Sequence, residues 1–153
     1  IEPDDADPAL AAHGWTLVLD IRSLDPVEVV RRRETTPLSN GQIKQFFDGS
    51  PAMIPFPDGL DVHLDTLGLS GKGVLAIRIG GSKDFRDRDG ISAGDTIARD
   101  QLKDFGKVHK GIARVAIKND RGGAEYKYNL GLKPAPGSRG YSTTVDPKIR
   151  NMR

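Results

Sequence analysis

Short apolar runs that alternate with polar residues and break off at glycine or proline constrain this chain more than any other feature. The chain has 18 Gly and 10 Pro in 153 residues, against a usual ~7% Gly. Such punctuation weakens long helices and favours many short elements joined by turns. Residues 15–22 (WTLVLDIR) set the pattern. Trp15, Leu17, Leu19 and Ile21 take one face, and Thr16, Val18, Asp20 and Arg22 the other. Period 2 over such a run is a strand signal. Residues 27–33 (VEVVRRR), 60–67 (LDVHLDTL) and 74–79 (VLAIRI) read as further strands. Three prolines in residues 51–57 make that stretch extended and bar it from the centre of a sheet.

The strongest pairing signal lies later. Residues 111–118 (GIARVAIK) and 124–132 (AEYKYNLGL) flank Asn119-Asp120-Arg121-Gly122-Gly123, the pattern of a β-hairpin with a glycine-rich loop. Ala113, Val115 and Ile117 would share a buried face with Tyr126, Tyr128 and Leu130. Residues 37–48 (PLSNGQIKQFFD) predict one short helix, capped by Ser39 or Asn40. Residues 80–110 show little regular pattern; 96–98 suggest a strand and 100–105 a turn of helix. The expected fold is mainly β, an antiparallel β-sandwich or jelly-roll-like barrel with one short helix and extended terminal arms. The expected organisation is an acidic arm at 1–14, a single β-rich domain at 15–132 and a basic arm at 133–153.

The ends are opposite in charge although the whole chain is only +2. Glu2, Asp4, Asp5 and Asp7 lie near the start; Lys133, Arg139, Lys148, Arg150 and Arg153 face one acid, Asp146, near the end. The last segment has few large apolar residues and by itself would be disordered. It gains little from its own core, which favours a neighbouring subunit as its anchor. The absence of cysteine excludes disulfides and thiol chemistry. No apolar run approaches the roughly 18 residues of a membrane helix, so a soluble chain is expected. A charge of +2, without basic residues interleaved with aromatics, argues against nucleic acid.

Several clusters resemble reactive sites in part. Asp61, His63 and Asp65 would share one face of a strand and could hold a metal or a general base. Leu60, Val62 and Leu64 alternate with them, so the acids also fit the solvent side of a half-buried strand. Residues 84–95 (DFRDRDGISAGD) approach a calcium loop through Asp87, Asp89 and Gly90. Phe85 and Thr96 occupy two positions that need oxygen ligands, and Arg86 and Arg88 add positive charge. Residues 68–73 (GLSGKG) lack the spacing of a phosphate loop and read as a hairpin turn. Arg31, Arg32 and Arg33 would point to alternating faces of a strand, and Trp15 falls in phase with the core. No residue is therefore assigned as catalytic, cofactor-binding or metal-binding, and no cofactor is expected.

The expectation for function is a non-enzymatic structural subunit of a larger assembly: a shell, filament, tail or surface complex. It would associate, as a homo-oligomer or with other subunits, through its β body and charged arms. The alternatives are a β-module that binds a glycan, small molecule or receptor through the 80–110 loop, and a metal-assisted hydrolase built on Asp61, His63 and Asp65.

Overall fold

A computed structural model of the chain describes residues 14–24, 27–34, 54–55, 60–79, 83–85, 90–103, 108–109, 112–137, 139–140 and 142–153. In chain order these form β1 (Trp15–Leu24), β2 (Val27–Glu34), β3 (Ile54–Pro55), β4 (Val62–His63) and α1 (Leu64–Leu67). Then come β5 (Gly73–Ile79), β6 (Lys83–Phe85), β7 (Ile91–Ala93), α2 (Thr96–Gln101), β8 (Leu102–Lys103) and β9 (Val108–His109). The last are β10 (Ile112–Ile117), β11 (Glu125–Pro134), β12 (Thr143–Val145) and β13 (Lys148–Arg150). The helix expected at 37–48 lies outside the described residues.

Two sheets make a β-sandwich. The first runs β3-β2-β1-β5-β10-β8, with β9 also on β10; the second runs β12-β11-β13-β4, with β6 and β7 also on β11. Both are mixed, because β1 pairs with β5, and β13 with β4, in parallel. Proline-bearing β3 sits at an edge, as its sequence requires. The alternation of β1 is kept: Trp15, Leu17, Leu19 and Ile21 enter the core between the sheets. Thr16, Val18 and Asp20 on its other face are buried too. There Asp20 accepts from Arg78 of the neighbouring strand at 3.3 and 3.0 Å, a two-pronged pair at matched register.

The hairpin expected at 111–132 does not form. β10 pairs with β5, β8 and β9, whereas β11 pairs with β6, β7, β12 and β13 in the other sheet. The predicted faces are still right: Ala113, Val115 and Ile117 meet Tyr126, Tyr128 and Leu130 in one core. They meet across the sandwich, not side by side. A link of this length can turn a strand back on itself or carry it to a facing sheet about 10 Å away. The apolar pattern is the same in both cases.

Three other expectations change. Residues 60–67 keep only two strand residues before turning into α1, where Gly68 adopts φ 70° and closes the helix. The 68–73 turn therefore joins elements of different sheets and is no hairpin. In the 80–110 segment the expected order is reversed, with helix at 96–101 and strand at 102–103. Asp95 decides this, because its Oδ1 caps the helix by accepting from Ala98 N at 2.8 Å.

The end of the chain folds onto its own domain. β12 and β13 pair with β11, and Ile149 is fully buried. The anchor for residues 143–153 is thus the chain itself, where a neighbour was expected. One buried isoleucine contributes about 1.5–3 kcal/mol, and ladder hydrogen bonds satisfy the backbone. Among the described residues no helix is long and apolar enough to cross a membrane.

Gly73 faces the ring of Trp15, its register partner, so closely that a Cβ would overlap the indole. Gly73→Ala should destabilise the fold by about 2–3 kcal/mol. Chemical denaturation followed by Trp15 fluorescence reads this directly, and an unchanged midpoint would refute the packing.

Candidate functional site

The densest polar cluster among the described residues gathers where α2, the 118–124 link and the end of the chain meet. Gln101 closes α2, and its carbonyl accepts from Lys118 N at 2.8 Å. Asn119 follows β10 with φ 53°, a left-handed conformation that asparagine tolerates better than most residues. The turn closes through Ala124 N to Arg121 O at 3.1 Å. Tyr126 comes from β11, and Asn151 directly follows β13.

These side chains satisfy one another. Tyr126 donates its hydroxyl to Asn151 Oδ1 at 2.6 Å. Asn151 Nδ2 donates to Gln101 Oε1 at 2.9 Å and to Arg121 O at 3.0 Å. Gln101 Nε2 donates to Asp100 Oδ2 and Asp120 Oδ1, both at 2.7 Å. Asn119 Nδ2 donates to Leu69 O and Gly71 O at 3.0 Å, and its Oδ1 accepts from Met152 N at 2.9 Å. Trp15 Nε1 donates to the same Gly71 carbonyl at 2.9 Å. The cluster ties the end of the chain to the 68–73 turn, to α2 and to both sheets.

Its electrostatics suit holding, not proton transfer. The Gln101 hydrogen bond lowers the pKa of Asp100 and of Asp120; partial burial opposes this, and Lys118 between them assists. Burial raises the pKa of the Tyr126 phenol, and the charges of Asp120 and Asp95 add to it. Burial likewise raises that of Tyr128, with help from Asp61, while its hydroxyl donates to Leu60 O at 2.8 Å. Every one of these shifts moves away from neutral pH, where general acid–base catalysis wants its groups.

The residues singled out in the sequence are dispersed. Asp61 Oδ1 accepts from Lys148 N at 2.9 Å. Asp65 lies in α1 and takes both oxygens to Arg150 Nε at 3.0 Å, with Arg153 at 3.6 Å. His63 ends β4 and stands beside Arg150 of β13 in register. The helix turn breaks the alternation that would have aligned these three. Among the described residues no group of three or more His, Asp or Glu could hold a metal ion. In the calcium-like stretch, Asp84 accepts from Phe85 N and Asp95 from Ala98 N and Lys127 N. Asp87 and Asp89 lie outside the described residues. Trp15 is buried in the core. Arg31 is half-buried on β2, and nothing is described of the side chains of Arg32 and Arg33.

Sequence reasoning missed Gln101, Asn119 and Asn151. Only Asn119, at the head of a glycine-rich turn, carried a signal. A scan against protein-family models finds no match, and a search of curated proteins finds none either.

Two predictions follow from this geometry. Asn151→Ala strands the Tyr126 hydroxyl in a buried site and leaves Gln101 Oε1 only the longer bond from Asp120 N at 3.3 Å, and should cost about 2–4 kcal/mol in a denaturant titration. The pH dependence has two limbs. Asp65, Asp100 and Asp120 have lowered pKa values when folded; burial opposes the shift of Asp65, but Arg150, Thr66 N–H and Arg153 outweigh it. Their contribution is present above the ordinary carboxylate pKa of 3.8 and fades as pH falls below it. Tyr126 and Tyr128 have raised values, so theirs is complete below pH 10 and fades as pH rises beyond it. Melting curves should decline on both flanks, and Tyr126→Phe should soften the alkaline one.

Proposed function

We propose that this chain is a non-enzymatic structural subunit that associates with further copies or with other subunits of an assembly. The observation that carries this reading is how the polar residues are used. The Gln101–Asn119–Tyr126–Asn151 cluster fastens the chain end into the sandwich. Among the described residues, Asp61, Asp65 and Asp95 are bound to backbone N–H groups or arginines. The described residues of the 80–110 segment, a candidate binding loop from sequence, form β6, β7, α2, β8 and β9, and these strands belong to both sheets.

Charge supports association. Arg139, Lys148 and Arg153 are exposed, and the acids Glu2, Asp4, Asp5 and Asp7 supply the opposite sign. Contact between the acidic segment of one copy and the basic end of the next is heterologous, and such contacts close into rings or extend into filaments. Exposed pairs contribute only about 0–1 kcal/mol each, so they set orientation while apolar burial supplies affinity.

Light scattering coupled to size exclusion tests this on the full chain and on a chain lacking residues 1–13. The full chain should be a defined oligomer or polymer at low salt. It should form more slowly at about 1 M salt, where the screening length falls to about 3 Å, and after removal of residues 1–13, because the charges guide approach and apolar burial holds the assembly. A full chain that is monomeric at every concentration would overturn the reading.

A further inference from the structure

β13 lies inside its sheet. β11 flanks it in antiparallel register and β4 in parallel register. Its three residues are held at both edges. Asn151 N donates to Ala124 O at 2.9 Å, Tyr128 N to Pro147 O at 3.0 Å, and Lys148 N to Asp61 Oδ1 at 2.9 Å. Ile149 is buried in the common core and Asn151 in the polar cluster. Removing this strand would expose two unpaired strand edges and an apolar gap, a template for any strand of the same sequence.

What leads to β13 is built to change course. Pro134 ends β11 and Pro136 follows, and proline favours an extended backbone. Gly137 and Gly140 have φ of 81° and 140°, values open mainly to glycine. Pro136, Gly137, Arg139, Gly140 and Ser142 are exposed. The partners of residues 148–153 are all distant in sequence, so a second copy presents the same set.

We propose that the slot between β11 and β4 is an exchange site, which takes residues 142–153 of a second copy in place of the chain's own. This rests on the assembly reading and supplies its mechanism. Each exchanged strand keeps every contact it makes within one chain, so exchange costs little in contacts and gains with protein concentration. Asn151 gives the exchange its specificity, since a strand without it leaves the Tyr126 hydroxyl unsatisfied in the slot and removes the shorter of the two bonds to Gln101 Oε1.

The chain has no cysteine of its own, so introduced thiols report position cleanly. Lys127 and Lys148 are exposed register partners across β11 and β13. The ladder bonds at Tyr128 and Asn151 make theirs a non-hydrogen-bonded pair, with Cα atoms about 4.5 Å apart, within reach of a disulfide. Full-length Lys127→Cys and Lys148→Cys chains are co-refolded at high concentration and oxidised. Lys103→Cys, exposed on the other sheet, replaces Lys127→Cys in the control.

The expected result is a disulfide-linked 127–148 heterodimer, several-fold above the 103–148 control and confirmed by peptide mass mapping. The double variant K127C/K148C, refolded dilute, should close within one chain. Failure of that closure would refute the β13 register and the exchange with it. An oligomer without the specific cross-link overturns exchange and leaves the assembly reading intact. A monomer without it removes both.

Discussion

Asn151 makes four hydrogen bonds with no exposed atom to spare: its backbone N–H to Ala124 O, its amide nitrogen to Gln101 and Arg121, and its amide oxygen from Tyr126. A buried amide without partners costs several kcal/mol, and in a low-dielectric interior a satisfied one is held firmly in a single geometry. This fixes more than the chain end. Gln101 is held where it can stop α2 and pass the chain to β8. The 118–124 link is held in the shape that carries it from one sheet to the other. β13 is seated between β11 and β4. Apolar burial supplies most of the stability, yet it is nearly indifferent to strand order, because Leu and Ile pack equally well from either sheet. The amide network is not indifferent, since shifting any of its four strands of chain leaves a donor unmet.

The same distinction explains what could be read from the sequence. Period-2 alternation marks which residues face inward, and it did so for Trp15 to Ile21, for Ala113 to Ile117 and for Tyr126 to Leu130. It carries no information on partners. β10 and β11 looked like a hairpin because facing strands and adjacent strands bury the same pattern. β1 shows a second limit. As a central strand buried on both faces, it keeps Val18 and Asp20 from solvent, and Asp20 is tolerated there through its two bonds to Arg78 and the charge of Arg22 at 3.7 Å. The 96–103 region was misread because β-branched Thr96 and Ile97 suggest strand. The Asp95 cap, a single hydrogen bond, outweighs that weak preference.

Residues 133–153 show where composition misleads most. Few apolar groups, several prolines and net positive charge describe a segment that would be disordered alone, and that remains a fair account of it alone. In the folded chain, order comes from what the rest presents: an open edge on β11, an open edge on β4, a gap that fits Ile149, and Asp65 placed to receive Arg150. The register partners on β11, such as Leu132 for Thr143 and Glu125 for Arg150, lie beyond a helical or hairpin window, and those on β4 and α1 lie in a distant part of the sequence. Sequence windows weigh a segment by its own contents, whereas this one is stabilised by its surroundings.

A strand held so completely by non-local groups has a consequence for how the molecule works. The contacts that define its place are indifferent to whether the strand arrives on the same chain or another; only the length and stiffness of the connection decide. Here the connection passes through Pro134, Pro136 and two glycines in conformations that other residues seldom adopt. The network centred on Asn151 then serves two ends. In a lone chain it seals the sandwich, and between chains it would verify that the incoming strand is the right one. Specificity and stability thus reside in the same few amides, while the exposed charges are left to guide the approach.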